Sequence, residues 1–466
     1  MLVPLFKKLL LLLLFTTLFS CKSNEENDVS TTYISGQIIN PTCDYIIFSR
    51  GYELRDTVNL DSNNFFHYKT DKITAGLYAL RHNETQVFYI EPGDSLLLHL
   101  NTIDFDESLA YSGKGAEQNN LLMDLFLKNQ TENQNLPRWY TLSSSDFESK
   151  IDSLRALKVS EYEDFIKNNE VAEDFKKVAL ASINYDYYSK KEMYAAANMR
   201  IVNKIDPSFF AYRNEVNFQW DELKFYYPYY RFMNRYFDNM VFSEYDHKTV
   251  VDRNSFKYNY RRIQLIDSTV KSAEIKNNLL YTNAWWYMQN AKDADQEKRF
   301  YKIFSKINSD ERQVEELGKL LDISIKLTAG KTMPNIALVN TDNVVKDLKS
   351  IIKAPTVIYF WTAKFSAQSK NLHNRAAELK SKYPEYNFIG INVDTHFKNW
   401  REIVKKRGYN PDEEFQLENI TEAEKNLMLK SMNKTIILDE NGVILDGKTN
   451  LFHINFEELL LGFLNR

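Results

Sequence analysis

The stretch FWTAKFSAQSK, Phe360 to Lys370, comes directly after the apolar run TVIY, Thr356 to Tyr359. A short continuous apolar run of this kind reads as a strand buried on both faces. The next residues read as a helix over Ser366–Lys382, so a strand over Thr356–Trp361 runs straight into a helix start. Working outward, further strands are expected around Ile336–Val339, over Asn387–Val393, over Lys434–Leu438 and over Val443–Asp446. Helical segments are expected over Asn399–Arg407, Thr421–Leu429 and Asn455–Leu464, with Lys346–Ile352 as a further short element. The last two strands are joined by Glu440-Asn441-Gly442, and Asn-Gly is a strong hairpin signal. Apolar strands alternating with helical crossovers predict an α/β domain whose sheet is covered on both faces. Its start is set near residue 329, where Gly330 closes a helix and Pro334 precedes a strand.

Upstream the pattern changes twice. Residues 116–328 carry apolar positions at three- and four-residue spacing and predict an all-helical domain. It holds a dense aromatic run, KFYYPYYRFMNRYF, with Tyr226, Tyr227, Tyr229 and Tyr230 around Pro228. Such a stripe is ordinarily helix-packing core, and its alternative is a groove for sugar or peptide. Residues 30–115 alternate in short runs broken at Asn40-Pro41, Asp61-Ser62-Asn63 and Pro92-Gly93-Asp94, which predicts an antiparallel β-sandwich-like domain. In Glu91-Pro92-Gly93-Asp94, Pro and Gly take the two central places of a type II turn. The whole is a multidomain α+β chain.

The N-terminus has Lys7 and Lys8, an apolar run from Leu9 to Leu14, and Cys21 after LFS. The apolar run is too short to span a bilayer, so residues 1–20 read as a signal peptide. LFSC resembles the lipobox of bacterial lipoproteins, which implies that Cys21 is lipidated and becomes the first residue, anchored in a membrane of the cell envelope. Residues 21–29 read as an acidic tether. A net charge of −4 with no basic block argues against a nucleic-acid partner. Only two cysteines occur, so with lipid on Cys21, Cys43 has no intramolecular disulfide partner. Seven histidines are scattered with no metal-ligand spacing, although His67, His82 and His99 fall in different expected strands. No phosphate- or dinucleotide-binding glycine motif is present, and no cofactor or metal is expected.

The segments MPNIALVN, PTVIYFWTAKFSAQSKN, FIGINVDTHFKNW and KTIILDENGVILDG resemble the thioredoxin-like domain of TlpA-type thiol-disulfide oxidoreductases, over about residues 328–466. With ISGQIIN, IEPGDSLLL and YSGKGAEQNN, the whole chain resembles Bacteroidetes lipoproteins that place a β domain and a helical segment before such a domain. The resemblance implies two cysteines after FW. Those positions are Phe365 and Gln368, with Ser366 and Ala367 between them. It also implies a cis-proline, where this chain has Asn433. Thiol exchange needs a thiolate at a helix N-terminus and a second thiol to resolve the mixed disulfide. A phenyl ring and a carboxamide supply neither. The expectation is a redox-inactive domain that keeps a shallow groove bordered by Trp361, Phe365, Gln368 and Asn433, fitted to a protein or peptide partner. Two alternatives stand beside it. One is an oxidoreductase, or accessory subunit of one, that works through Cys43 or a partner thiol. The other is a glycan or peptide receptor built on the aromatic helical segment.

Overall fold

A computed structural model of the 466-residue chain describes residues 31–465 apart from 52, 200, 201, 203, 204, 247–249, 395 and 430–433. The signal peptide, the tether with Cys21, and Asn433 lie outside the described residues. The chain forms two compact units. Of the described residues, one comprises those up to 142 with 149–187 and 225–227, the other those within 143–148, 188–224 and from 228 onward.

The first unit holds eight strands: β1 Thr32–Ile39, β2 Tyr45–Arg50, β3 Leu54–Asn59, β4 Phe65–Thr70, β5 Gly76–His82, β6 Glu84–Ile90, β7 Ser95–Asn101 and β8 Ala110–Lys114. They pair into two four-stranded sheets, ordered β4-β1-β7-β8 and β3-β2-β5-β6. Side chains alternate across each strand as the pleat requires. In β7, Leu96, Leu98 and Leu100 are buried while their neighbours face out. They join Ile34, Ile38, Phe48, Phe66 and Phe88 in one core. The sandwich is not wholly antiparallel as expected, because β1 pairs with β7 in parallel. These two strands are far apart in sequence, with the second sheet formed between them, so no hairpin dictates their direction. Gly93 has φ 82°, the conformation a type II turn needs at that place.

A short helix, α1 Phe105–Ser108, precedes β8. The long helices α2 Ala116–Trp139, α3 Ser144–Asn168 and α4 Glu173–Ala197 come next, and the two units share the last two of them. Asn119, in the first turn of α2, accepts from Tyr89 N and donates to Tyr89 O, both at 2.7 Å, which ties α2 to β6.

The second unit continues with α5 Tyr227–Phe242, α6 Phe256–Thr269, α7 Ala273–Asn290, α8 Ala294–Ile307 and α9 Glu311–Lys326. Its C-terminal part comprises β9 Ala337–Val339, β10 Val345–Asp347, α10 Leu348–Ile351, β11 Thr356–Trp361, α11 Ser366–Lys382, β12 Asn387–Asn392, α12 Phe397–Arg407, β13 Glu414–Leu417, α13 Ile420–Glu424, β14 Lys434–Leu438, β15 Ile444–Asn450 and α14 Phe456–Leu464. The sheet order is β10-β9-β13-β12-β11-β14-β15. β11 runs parallel to β12, and β12 to β13, while β14 returns antiparallel to β11. All six residues of β11 are buried. Ile358 and Phe360 enter the core on one face with Leu338 and Ile436. Val357, Tyr359 and Trp361 enter the other core, with Leu372, Trp400 and Phe456. Period-two alternation thus points Tyr359 and Trp361 toward α11 and α12.

Candidate functional site

The junction of β11 and α11 is held from below. Asp394, just past β12, accepts from Thr362 Oγ1 at 2.5 Å, from Ala363 N at 2.6 Å and from Asn392 Nδ2 at 3.0 Å. Phe365 is the N-cap of α11 and supplies no side-chain cap. The residue is 51% exposed. Ser366 and Ala367 are exposed and Gln368 is half-buried. From α12, Arg407 reaches over to donate to Ser366 Oγ at 2.8 Å, to Ser369 Oγ at 3.3 Å and to Tyr409 Oη at 3.2 Å. The first turn of α11 is therefore fixed from two sides, with the phenyl ring projecting from it.

Beneath lies a buried polar cluster. Glu414, the first residue of β13, accepts from Trp361 Nε1 at 2.9 Å and from Tyr359 Oη at 3.1 Å, and lies 3.1 Å from His373 Nε2. His373 Nδ1 is 2.7 Å from the Ser369 carbonyl, which can only accept, so Nδ1 carries a hydrogen. The imidazole stacks on Tyr409 at 3.7 Å between ring centroids. Burial, and then the charge of Glu414, hold the Tyr359 phenol well above its ordinary range, so it stays a donor. A Cβ on Gly390 would collide with Glu414 Oε1. Glycine in β12 is thus what leaves room for the carboxylate.

Trp361 is buried and bonded to this cluster, so its indole belongs to the floor and does not border an open groove as expected. Phe365 and Gln368 do come together at the start of α11. Sequence reasoning missed Glu414, His373, Tyr409 and Arg407 as members of this site. The strand that delivers Glu414 is four residues long and is flanked by acids, and only Phe415 and Leu417 hint at it.

Among the described residues of this arrangement there is no thiol. Sulfur is absent from Phe365–Gln368, and Ser366 is engaged by Arg407 rather than by a base. His373 has both ring nitrogens committed. Cys43, in the other unit, donates to Tyr45 O at 3.3 Å and lies 3.6 Å from His82 Nδ1. Thr42 N donates to His82 Nε2 at 3.0 Å, so His82 Nδ1 carries the hydrogen, which it directs to Tyr45 O at 2.9 Å. No imidazole nitrogen of His82 is left to take the Cys43 proton. Tyr226 and Tyr229 are buried, and Tyr229 donates to Asn217 O at 2.7 Å. The aromatic run is therefore core at these two positions, which removes them from a ligand groove, while Tyr227 is exposed. Among the described residues, no group of three His, Cys, Asp or Glu is placed to hold a metal ion, and no helix is long and apolar enough to cross a membrane.

The sheet order, with a strand running into a helix at its centre, is that of a thioredoxin-like domain, and the Thioredoxin-like family matches residues 353–444. No curated protein matches the chain. Among solved structures, the chain is similar to a thioredoxin-like protein from Bacteroides caccae, at 12% identity over 60% of this chain and 94% of that one, with a TM-score of 0.35. It is also similar to the thioredoxin domain of a thiol-disulfide oxidoreductase from Bacteroides vulgatus, at 16% identity over 30% of this chain and 97% of that one, with a TM-score of 0.24. A thiol:disulfide interchange protein from a Bacteroides species is similar at 16% identity over 30% of this chain and 93% of that one, with a TM-score of 0.24.

Proposed function

We propose that this chain is a redox-inactive relative of the TlpA-type thiol-disulfide oxidoreductases, anchored in the cell envelope by lipid on Cys21, whose surface at the start of α11 binds a segment of a partner protein. The observation that carries the reading is Phe365. It occupies the helix N-terminus where thiol exchange requires a thiolate, and the residue is about half exposed. An exposed aromatic on a fixed support suits an interface anchor, because little side-chain freedom is lost on binding. The support here is the Arg407 and Asp394 bonding on either side of it. A peptide laid beside that ring would gain main-chain hydrogen bonds and one apolar anchor, and no covalent chemistry.

The test is co-purification of the lipidated protein from its native envelope, with partners identified by mass. Phe365→Ala should lose a defined partner set that Tyr227→Ala, another exposed aromatic, retains. Equal recovery from both variants would remove this surface as the binding site. Cys21→Ala should move the protein from the membrane to the soluble fraction. Retention in the membrane would remove the anchor.

A further inference from the structure

Within the second unit, α7 and α9 flank a cleft of about 600 Å³ closed on one side by α13 and the residues after it. This is the size range of small-molecule and peptide sites, roughly 300–1,000 Å³. Tyr281, Trp285 and Gln289 line it from α7 at four-residue spacing, so they share one helix face. Leu320 and Ile323 from α9 and Met428 form an apolar floor. The charges at its rim are balanced, with Glu316, Asp322 and Glu424 against Lys319, Lys326 and Lys425. Several are already engaged. Glu316 accepts from Tyr281 and Arg312, Lys319 pairs with Glu315, and Lys326 donates to Asn426.

Gln289 stands apart from this pattern. It is only 7% exposed, and its Nε2 is buried with no hydrogen-bond partner. An unmet buried donor is costly, and one that lines a cleft is a group a bound ligand can complete. We propose that the cleft binds an uncharged, apolar peptide segment whose backbone amide pairs with the Gln289 carboxamide. A rim whose charges of opposite sign cancel disfavours a charged ligand, which would be desolvated there without a net counter-charge. The aromatic wall and a methionine in the floor suit apolar side chains of varied shape. A carboxamide offers a donor group beside an acceptor group, which a peptide bond can match with its C=O and N–H. A sugar would bring many hydroxyls to an apolar floor that cannot bond them. This site is separate from Phe365 and does not depend on the reading of the α11 surface.

The experiment uses the full mature chain and arrays of fluorescein-labelled hexapeptides, acetylated and amidated at their ends, in uncharged apolar, acidic and basic sets. Fluorescence anisotropy should give saturable binding for members of the uncharged set, at least tenfold tighter than for either charged set. Gln289→Leu, which keeps the volume and removes the polar atoms, should weaken binding about three- to tenfold, the worth of one hydrogen bond. Leu320→Glu should abolish it, and Phe365→Ala should leave it unchanged. Circular dichroism melting of each variant checks that the fold is retained. If Leu320→Glu fails to fold, Ile323→Gln takes its place. Binding that prefers a charged set, that survives Gln289→Leu at full strength, or that disappears in Phe365→Ala overturns the proposal. So does saturable uptake of the neutral dye Nile red without competition by any peptide.

Discussion

At the scale of single residues, Glu414 holds the floor of the thioredoxin-like site together. Three side chains from β11 and α11 converge on its carboxylate. Glu414→Leu would leave the Trp361 indole N–H and the Tyr359 hydroxyl buried without acceptors. Removing one partner from a buried charged network costs about 3–5 kcal/mol. Urea denaturation monitored by tryptophan fluorescence should show a loss of that order, and a loss below about 1 kcal/mol would mean the cluster is not coupled. Phe365 and Glu414 also mark what the residues alone reveal. That Phe365 and Gln368 carry no sulfur is legible directly, and thiol exchange tolerates no substitute for it. The role of Glu414 is not, because an acid among acids reads as surface until the sheet order places it under α11.

At the scale of elements, β15 is fastened to α8 and to the turn before it by two ion pairs, one buried and one with its lysine exposed. Lys292 donates to Asp446 at 2.6 and 2.8 Å, and Lys448 donates to Glu297 at 2.5 Å and to Ala291 O at 2.7 Å. Gly447 lies between the two pairing residues, and a Cβ there would collide with the Leu327 carbonyl. Gly447→Ala should therefore cost about 1–3 kcal/mol through forced displacement of that backbone. A thermal melt unchanged from wild type would contradict this packing. Lys434, at the start of β14, is a third lysine near Asp446. Burial, reinforced by the positive charges of Lys448 and Lys292, holds its amine well below the ordinary lysine value of 10.5. The unfolded chain takes up a proton on this amine as pH falls below 10.5, whereas the folded chain resists until lower pH. The unfolded state thus binds more protons in that window, and the stability carried by this group is lost as pH falls through it. Lys434→Met should accordingly be more stable than wild type at pH 7, with the gain shrinking toward pH 10.5. A gain independent of pH would contradict a neutral amine. None of this clustering is readable from sequence, where the lysines and acids are spread over some 150 positions. The strands and helices that carry them are legible from their apolar periods.

At the scale of the whole molecule, the β, helical and α/β segments succeed one another along the chain in the order their patterns predict, and the C-terminal domain is thioredoxin-like. Compact units cut across that order, since α3 and α4 are each shared between them. Helical periodicity reports which face of a helix is buried, not which neighbour covers it. The parallel pairing of β1 with β7 was hidden for a related reason, because strand alternation fixes the faces of a sheet and leaves the partner open. A thioredoxin-like fold does not by itself carry the chemistry of its relatives. The most direct measurement is the dithiothreitol-driven reduction of insulin by the purified full chain, compared with a buffer blank. A rate equal to the blank is predicted for wild type and for Cys43→Ser. Turnover above the blank that disappears in Cys43→Ser would contradict a redox-inactive chain.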